Sequence, residues 1–449
     1  MTTCTAWLDK PTVWAEIFAR AVFVLPAGKN LFSVAVYTAE RVFLMRNRWL
    51  IALAAVGIHI SIGSVYAWSV LTRPIMAEMG FTLSETTWTF SLAILFLGMS
   101  AGFLGRFVEK HGPKKSGLLS MLFFGSGMFG TALALHLHSL PLLYLFYGVI
   151  GGIGLGVGYI TPVSTLVKYF PNHRGFATGL AIMGFGFAAL LAGPIMQYLT
   201  AQFGLVENFL ILGTVYMVLI GAAAMYLKPP VMPEGSAAVK KLQHGVTASE
   251  AIKTWQFGAL WWVFFVNITC GIGLLAVASP MAQQVTGMDA AQAASMVGII
   301  GLLNGGGRIL WSTLSDYLGR GLTYMAFFAL EVAAFWLLAG TRDAMLFQML
   351  VFLIISCYGG GFSCMPAYLS DIFGTRELSA IHGRVLTAWG VAGVVGPTIV
   401  SWFWEHTHSY ADTLYFFAGC FVLNLLIAAA LKVYGNQTAA PVKIAQPHT

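Results

Sequence analysis

The stretch Met296–Arg320, MVGIIGLLNGGGRILWSTLSDYLGR, predicts a membrane-spanning helix with Arg308 in its apolar interior and a charged turn at its end. A guanidinium stays ionised in any protein setting, and burying one in hydrocarbon is costly. Such a charge is retained only where it has a partner or a function. The charged turn indicates the fold, because a related turn, VEKHGPKK at 108–115, stands in the first half of the chain.

The two halves of the chain carry matching features in the same order. Glu109 and Gly112 of the first turn correspond to Asp316 and Gly319 of the second. At nearly the same offset, GYITPVSTLVKYF (158–170) corresponds to GFSCMPAYLSDIF (361–373), and LLAGPI corresponds to GVVGPT. Several independent matches at one offset indicate an internal repeat.

The composition excludes a soluble protein. Of the 449 residues, 58% are hydrophobic and only 9% are charged, whereas soluble proteins carry roughly 25% charged residues. Apolar runs of about 20 residues, the length that crosses a bilayer core of ~30 Å, recur along the chain. They predict an all-α membrane protein with twelve spans in two six-helix halves: 49–71, 87–106, 116–136, 141–168, 175–199, 206–227, 256–281, 292–315, 321–340, 344–370, 381–403 and 410–434.

Polar segments divide the chain further. We predict an N-terminal extension at 1–44 (appended, mis-assigned or peripheral), halves at 45–227 and 256–435, a cytoplasmic linker at 228–255 and a cytoplasmic tail at 436–449. All but three of the 24 Lys and Arg residues then fall on one side, the exceptions being Arg73, Arg308 and Arg342. By the positive-inside rule both termini are cytoplasmic. The basic charge therefore reflects topology, and we expect no nucleic-acid partner.

Both charged turns resemble those of the major facilitator superfamily, although Glu109, Pro113 and Ser312 depart from its consensus. The resemblance implies two halves that rock around a central site, with the turns as gates. A plain charged turn at the membrane face is the alternative. The gating residues implied are Glu109, Lys110, Gly112, Asp316, Gly319 and Arg320.

Four motifs are similar to the oxalate/formate antiporter family and the related monocarboxylate transporters: GSVYAWSV (63–70), GYITPVSTLVKYFPNHRGFATGL (158–180), NGGGR (304–308) and TAWGVAG (387–393). This resemblance implies a secondary transporter in which Arg308 binds the substrate anion. The resemblance implies that relatives that carry oxalate have the pattern TAKG in the eleventh span. This chain has TAWG there, with Trp389 at the position of the lysine.

The residues themselves favour one carboxylate. Arg308 lies eight residues before Asp316, about 12 Å along the helix and so near the midplane. Asn304 lies one turn away on the same face. A lone cation beside an amide suits a monocarboxylate such as lactate, pyruvate or formate, because two anionic charges would leave one poorly compensated. An ion pair with Glu331, the only acid inside a span, is the alternative.

Aromatic residues are further candidates for substrate binding, with ordinary core packing as the alternative for each. A tyrosine can donate its hydroxyl to a carboxylate while its ring excludes water, and Trp389 can pack against the apolar end of a substrate. The residues are Tyr66, Tyr159, Tyr358, Phe362 and Trp389.

The candidates for proton coupling are His59, His382 and Glu331, and exchange of one anion for another without a protein-bound proton stays open. The five cysteines show no zinc spacing, and no nucleophile–base pair is evident. We therefore expect no enzyme, metal or cofactor. The expected partners are a small carboxylate, protons and the lipid bilayer of a bacterial inner membrane. An oxalate/formate-type antiporter and a transporter-fold carboxylate sensor are the alternatives.

Overall fold

The computed structural model describes residues 47–230 and 245–434. The predicted extension at 1–44, the tail at 436–449 and half of the predicted linker, residues 231–244, lie outside the described residues. Within the described ranges the regular structure is helical, apart from an isolated β-bridge between Gly245 and Gly374.

Eleven helices of the described residues are long and apolar enough to cross a membrane. One of them, Leu83–His136, has 54 residues and would measure about 80 Å, far more than a bilayer core of ~30 Å. Gly112, with φ 76° and ψ 173°, divides it into two spans. The predicted all-α fold with twelve spans is therefore confirmed.

We number the spans in chain order. The N-terminal half contains α1 (Arg48–Met79), α2 (83–111), α3 (113–136), α4 (Leu140–Tyr169), α5 (Arg174–Phe203) and α6 (Leu205–Tyr226). The C-terminal half contains α7 (Trp255–Thr286), α8 (Ala290–Leu318), α9 (Arg320–Gly340), α10 (Ala344–Phe373), α11 (Leu378–Thr407) and α12 (Tyr410–Tyr434).

Several helices extend beyond their predicted spans. The largest difference is in α1, which was predicted to end at residue 71 but continues through a 3₁₀ turn at Ser64–Ala67 to Met79. Helical hydrogen bonding does not require hydrocarbon, so a helix can continue past the apolar run that marks its span. The predicted linker also contains a one-turn helix, Ala248–Ala251, which begins with a capping box between Thr247 and Glu250.

Gly112 and Gly319 occupy equivalent positions in the two charged turns. Their φ angles are 76° and 83°, in the left-handed region that glycine adopts without strain. The repeat in the sequence therefore corresponds to a repeat in backbone conformation, and each glycine lets the chain leave one span and begin the next.

The two halves meet along two seams, and in each seam a pair of glycines brings the backbones into direct contact. In the α2–α11 seam, a Cβ added to Gly98 would lie 2.6 Å from the backbone nitrogen of Gly390. In the α5–α8 seam, a Cβ added to Gly186 would lie 2.7 Å from the Cα of Gly305. Small residues permit this direct backbone contact between membrane helices. The candidate site lies between these seams.

Candidate functional site

The charged turn of the C-terminal half, at Asp316 to Arg320, binds a helix of the other half. The carboxylate of Asp316 accepts 2.8 Å hydrogen bonds from the backbone N–H groups of Gly175 and Phe176 in the first turn of α5. Arg320 donates to Asp316 at 2.6 Å and to Asp371 at 3.0 Å. The first turn of a helix has free N–H groups and a partial positive charge, so a carboxylate is stabilising there.

The charged turn of the N-terminal half makes the equivalent contact with a helix of the C-terminal half. Glu109 accepts a 2.7 Å hydrogen bond from the backbone N–H of Ser379 in the first turn of α11, and Lys168 lies 3.5 Å from its other oxygen. Lys110 is exposed and makes none of these contacts. We call this end of the molecule the basic face; it carries Arg106, Lys168, Arg174, Arg320 and Arg384.

Arg308 is fully buried and spans the α5–α8 seam. Its Nε donates to the Oδ1 of Asn304 at 3.2 Å, and its Nη1 donates to the backbone carbonyl of Ile182 on α5 at 3.3 Å. Its Nη2 has no hydrogen-bond partner among the described residues. The guanidinium is thus held by both halves and keeps one donor group free.

Two phenylalanines cover the guanidinium. The Cζ of Arg308 lies 5.0 Å from the ring centre of Phe362 and 5.8 Å from that of Phe185. Cation–π attraction of this kind stabilises a buried cation without neutralising it. Phe362 was predicted from sequence, whereas Phe185 and the Ile182 carbonyl were missed. Phe185 is one of 33 phenylalanines, and nothing in the sequence around it distinguishes it.

Arg308 has no acidic partner in the part of the chain that the structure describes, where no carboxylate oxygen lies within 4.0 Å of it. Glu331, the alternative partner considered above, is buried on α9 among Cys270 and Cys357 instead. No carboxylate of the described residues therefore compensates this positive charge.

The predicted aromatic residues surround Arg308 as a set. We use the name aromatic box for Tyr66, Tyr159, Phe185, Tyr358, Phe362 and Trp389. The Trp389 ring is fully buried, with its centre 4.7 Å from Phe362, 5.2 Å from Tyr159 and 5.4 Å from Phe185. The hydroxyls of Tyr66 and Tyr358 lie 3.3 Å apart, which joins α1 to α10.

The two candidate histidines lie beside this box. The ring centre of Tyr159 is 5.2 Å from His59 on α1 and 6.1 Å from His382 on α11. Both histidines are buried, and the Nε2 of each has no partner among the described residues. The third candidate, Glu331, is not part of this cluster.

The comparison with protein families agrees with this architecture. The model of the Major Facilitator Superfamily matches residues 50–397, more than three quarters of the chain. The chain belongs to the major facilitator superfamily.

Three similar proteins illustrate this membership. The oxalate:formate antiporter of Oxalobacter formigenes is 28% identical over 365 residues, covering 80% of this chain and 85% of that protein. Monocarboxylate transporter 4 of Gallus gallus is 26% identical over 410 residues, covering 88% and 84%. The solved structure of the E. coli fucose:proton symporter FucP has a TM-score of 0.67 at 12% identity and covers 86% of this chain and 99% of that one, a likeness that shows the fold.

In this member of the superfamily, a group of buried polar atoms without hydrogen bonds lies between the halves. Of 14 buried side-chain nitrogen and oxygen atoms without a partner in the described residues, five belong to this site. A buried polar group without a hydrogen bond costs about 1–3 kcal/mol, so this arrangement suits a polar ligand. The five atoms are His59 Nε2, Tyr159 Oη, Arg308 Nη2, His382 Nε2 and Trp389 Nε1.

Proposed function

We propose that the protein is a secondary active transporter of a small monocarboxylate of the lactate, pyruvate or formate type, coupled to protons. The observation that carries this proposal is Arg308: one buried cation between the halves, with a free Nη2 and no acidic partner among the described residues. A carboxylate bound there satisfies the donor and compensates the charge.

The single cation argues for a single carboxylate. By resemblance, relatives that carry oxalate have a lysine at the position that Trp389 occupies here. The Trp389 ring packs against Phe362 and Tyr159. A dicarboxylate would bring a second anionic charge into a site of low polarity, where an uncompensated charge is strongly unfavourable. The indole instead offers an apolar wall for a methyl-sized substituent, with Nε1 as one further donor.

The movement that we propose is alternating access around Arg308. The basic face is closed by two contacts: Asp316 of α8 binds the start of α5, and Glu109 of α2 binds the start of α11. The Arg308 guanidinium is held by both halves. Rocking of the halves would exchange this closure for one at the opposite end. We propose a bacterial inner membrane, with the basic face and both termini in the cytoplasm, from the distribution of Lys and Arg.

One alternative has specific support from a relative, and a second shares the same binding site. The similarity to an oxalate:formate antiporter supports an exchanger of small anions that needs only one arginine. A transporter-fold sensor would bind the carboxylate at Arg308 and report it without moving it.

The test is uptake of labelled lactate, pyruvate, formate and oxalate into proteoliposomes, with and without an inward proton gradient. We compare the unmodified protein with Arg308→Gln and with the control Arg342→Gln, an exposed arginine at the start of α10. We expect gradient-stimulated uptake of a monocarboxylate, lost by at least 100-fold in Arg308→Gln and retained in the control, as follows from loss of a charged hydrogen-bonded pair. Oxalate exchange that ignores the gradient would support the antiporter. Binding without uptake would support the sensor.

A further inference from the structure

The surroundings of His59 decide which ring nitrogen carries the hydrogen when the ring is neutral. Its Nδ1 lies 3.0 Å from the backbone carbonyl of Ala55. A carbonyl oxygen can only accept a hydrogen bond, so Nδ1 must carry the hydrogen and Nε2 must be the unprotonated nitrogen. That Nε2 is buried and has no partner among the described residues. Neutral His59 therefore carries a lone pair on Nε2 that accepts no hydrogen bond from the described residues, and the backbone of Tyr159 is a further neighbour of the ring.

The groups that face His59 include one cation, hydroxyls and a second histidine, but no carboxylate of the described residues. Tyr159 contributes a hydroxyl from α4, while Phe185 on α5 closes one side with its ring centre 6.4 Å away. No acidic oxygen of the described residues lies within 4.0 Å of either histidine. The titratable or charged groups around His59 are Tyr66 on its own helix with Tyr358 bonded to it, Tyr159, Arg308 on α8 and His382 on α11.

The charge of Arg308 opposes protonation of His59 as long as no anion is bound. Arg308 already supplies one uncompensated positive charge, and a second cation nearby is repelled in a medium of low polarity. A substrate carboxylate on Arg308 removes this repulsion, after which one histidine can take a proton. The first proton then disfavours a second on the neighbouring histidine. Anion and proton therefore bind cooperatively, in equal numbers.

His382 connects this pair to the gate. It lies one turn after Ser379, whose backbone N–H donates to Glu109 at the basic face. Tyr159 neighbours both histidine rings. His382 is thus near His59 and one helical turn from the contact that closes the basic face, on the side where a proton would enter or leave.

We propose, on the basis of the carboxylate transport proposed above, that His59 and His382 form the proton site of this transporter. Nε2 of His59 accepts one proton when the anion occupies Arg308, and His382 passes the proton to or from the basic face. The site then carries one net positive charge both when it is empty and when it holds anion plus proton. Cotransport through it is electroneutral.

The central variant is His59→Asn. The asparagine amide can still donate to the Ala55 carbonyl, but it cannot titrate. The matched control is His406→Asn, because the Nδ1 of His406 makes the same contact with the carbonyl four residues earlier, Trp402, on the exposed end of α11. His59→Gln is a second variant in case His59→Asn does not fold. The readouts are exchange of labelled lactate or pyruvate without a gradient, accumulation driven by an inward proton gradient, and anion affinity in detergent against pH.

For the unmodified protein and His406→Asn we expect the anion affinity to fall with rising pH, by up to tenfold per pH unit over the range in which anion binding takes up one proton. In His59→Asn we expect the anion affinity to become independent of pH and the gradient-driven accumulation to be lost, with exchange in the absence of a gradient as the measure that the variant folds and binds the anion. We expect His382→Gln to retain the dependence of anion affinity on pH but to slow the gradient-driven accumulation.

An unchanged slope with full accumulation in His59→Asn would overturn the assignment. A slope lost only in His382→Gln would do so as well. If the unmodified protein neither binds nor exchanges any of these anions, the proposed carboxylate transport fails instead. Exchange without any effect of the proton gradient would leave the carrier function standing and overturn the proton site alone.

Discussion

Asp316, two residues before the end of α8, accepts a 2.8 Å hydrogen bond from the backbone N–H of Gly175, the second residue of α5 in the other half. Glu109 makes the corresponding bond to Ser379 at the start of α11. Each half therefore uses one acidic residue to hold the positive end of a helix in its partner. The internal repeat of the sequence becomes a pair of reciprocal contacts across the seams.

The two contacts are unequal, and this leads to the first prediction. Asp316 accepts two backbone bonds and pairs with Arg320, whereas Glu109 accepts one backbone bond and has a more distant lysine. A hydrogen bond to a charged group contributes about 1.5–3 kcal/mol. We expect Asp316→Asn to raise the population of molecules with an open basic face, relative to those with a closed one, by at least tenfold. Glu109→Gln should raise this ratio less.

Distances between spin labels at Lys115 and Lys432, which are exposed in opposite halves, would report this opening. Glu405→Gln, at the other end of α11, is the control and should leave the distances unchanged. An equal or larger opening in Glu109→Gln would contradict the reasoning from the number of contacts.

The second prediction concerns the α5–α8 seam. A Cβ on Gly186 would lie 2.7 Å from the Cα of Gly305 and 3.1 Å from the Nε of Arg308. Because the closest neighbour is backbone, the methyl group must push the halves apart, at a cost of about 1–3 kcal/mol to the closed state. We expect Gly186→Ala to reduce exchange of the substrate anion at least tenfold.

Gly301→Ala is the matched control for Gly186→Ala, since nothing lies within 4 Å of its added methyl group. Initial exchange rates and thermal unfolding would be measured for both variants. Exchange within twofold of normal in Gly186→Ala would show that this contact does not limit the rocking of the halves.

The third prediction concerns Trp389 and specificity. Trp389→Lys introduces a second cation beside the aromatic box, so a dicarboxylate gains a partner for its second charge. We expect oxalate to bind at least tenfold more tightly to Trp389→Lys than to Trp389→Met. Methionine is a neutral side chain of similar length, so both variants lose the same ring contacts with Phe362 and Tyr159.

Ligand-induced shifts in thermal unfolding would measure the preference for oxalate over lactate in both variants. Oxalate that stabilises Trp389→Lys no better than Trp389→Met would refute the idea that the missing second cation excludes dicarboxylates.

Much of the fold could be predicted from sequence, because its signals are local. The apolar runs revealed twelve spans, and the matched turns with Gly112 and Gly319 revealed the repeat. The bounds were less predictable: α1 runs to Met79, and the linker contains the helix Ala248–Ala251. Helix ends depend on caps and turns, to which hydropathy is insensitive.

The amino-acid sequence by itself determined the number of spans, the two matched halves and the presence of one arginine inside an apolar span, since hydrocarbon thickness and charge cost act on each helix separately. Only the tertiary structure decided which side chains meet. Phe185 covers Arg308, His59 and His382 flank Tyr159, and Glu331 lies elsewhere. These relationships join helices far apart in the chain. They depend on how helix surfaces pack across the seams, which spacing along one helix does not specify.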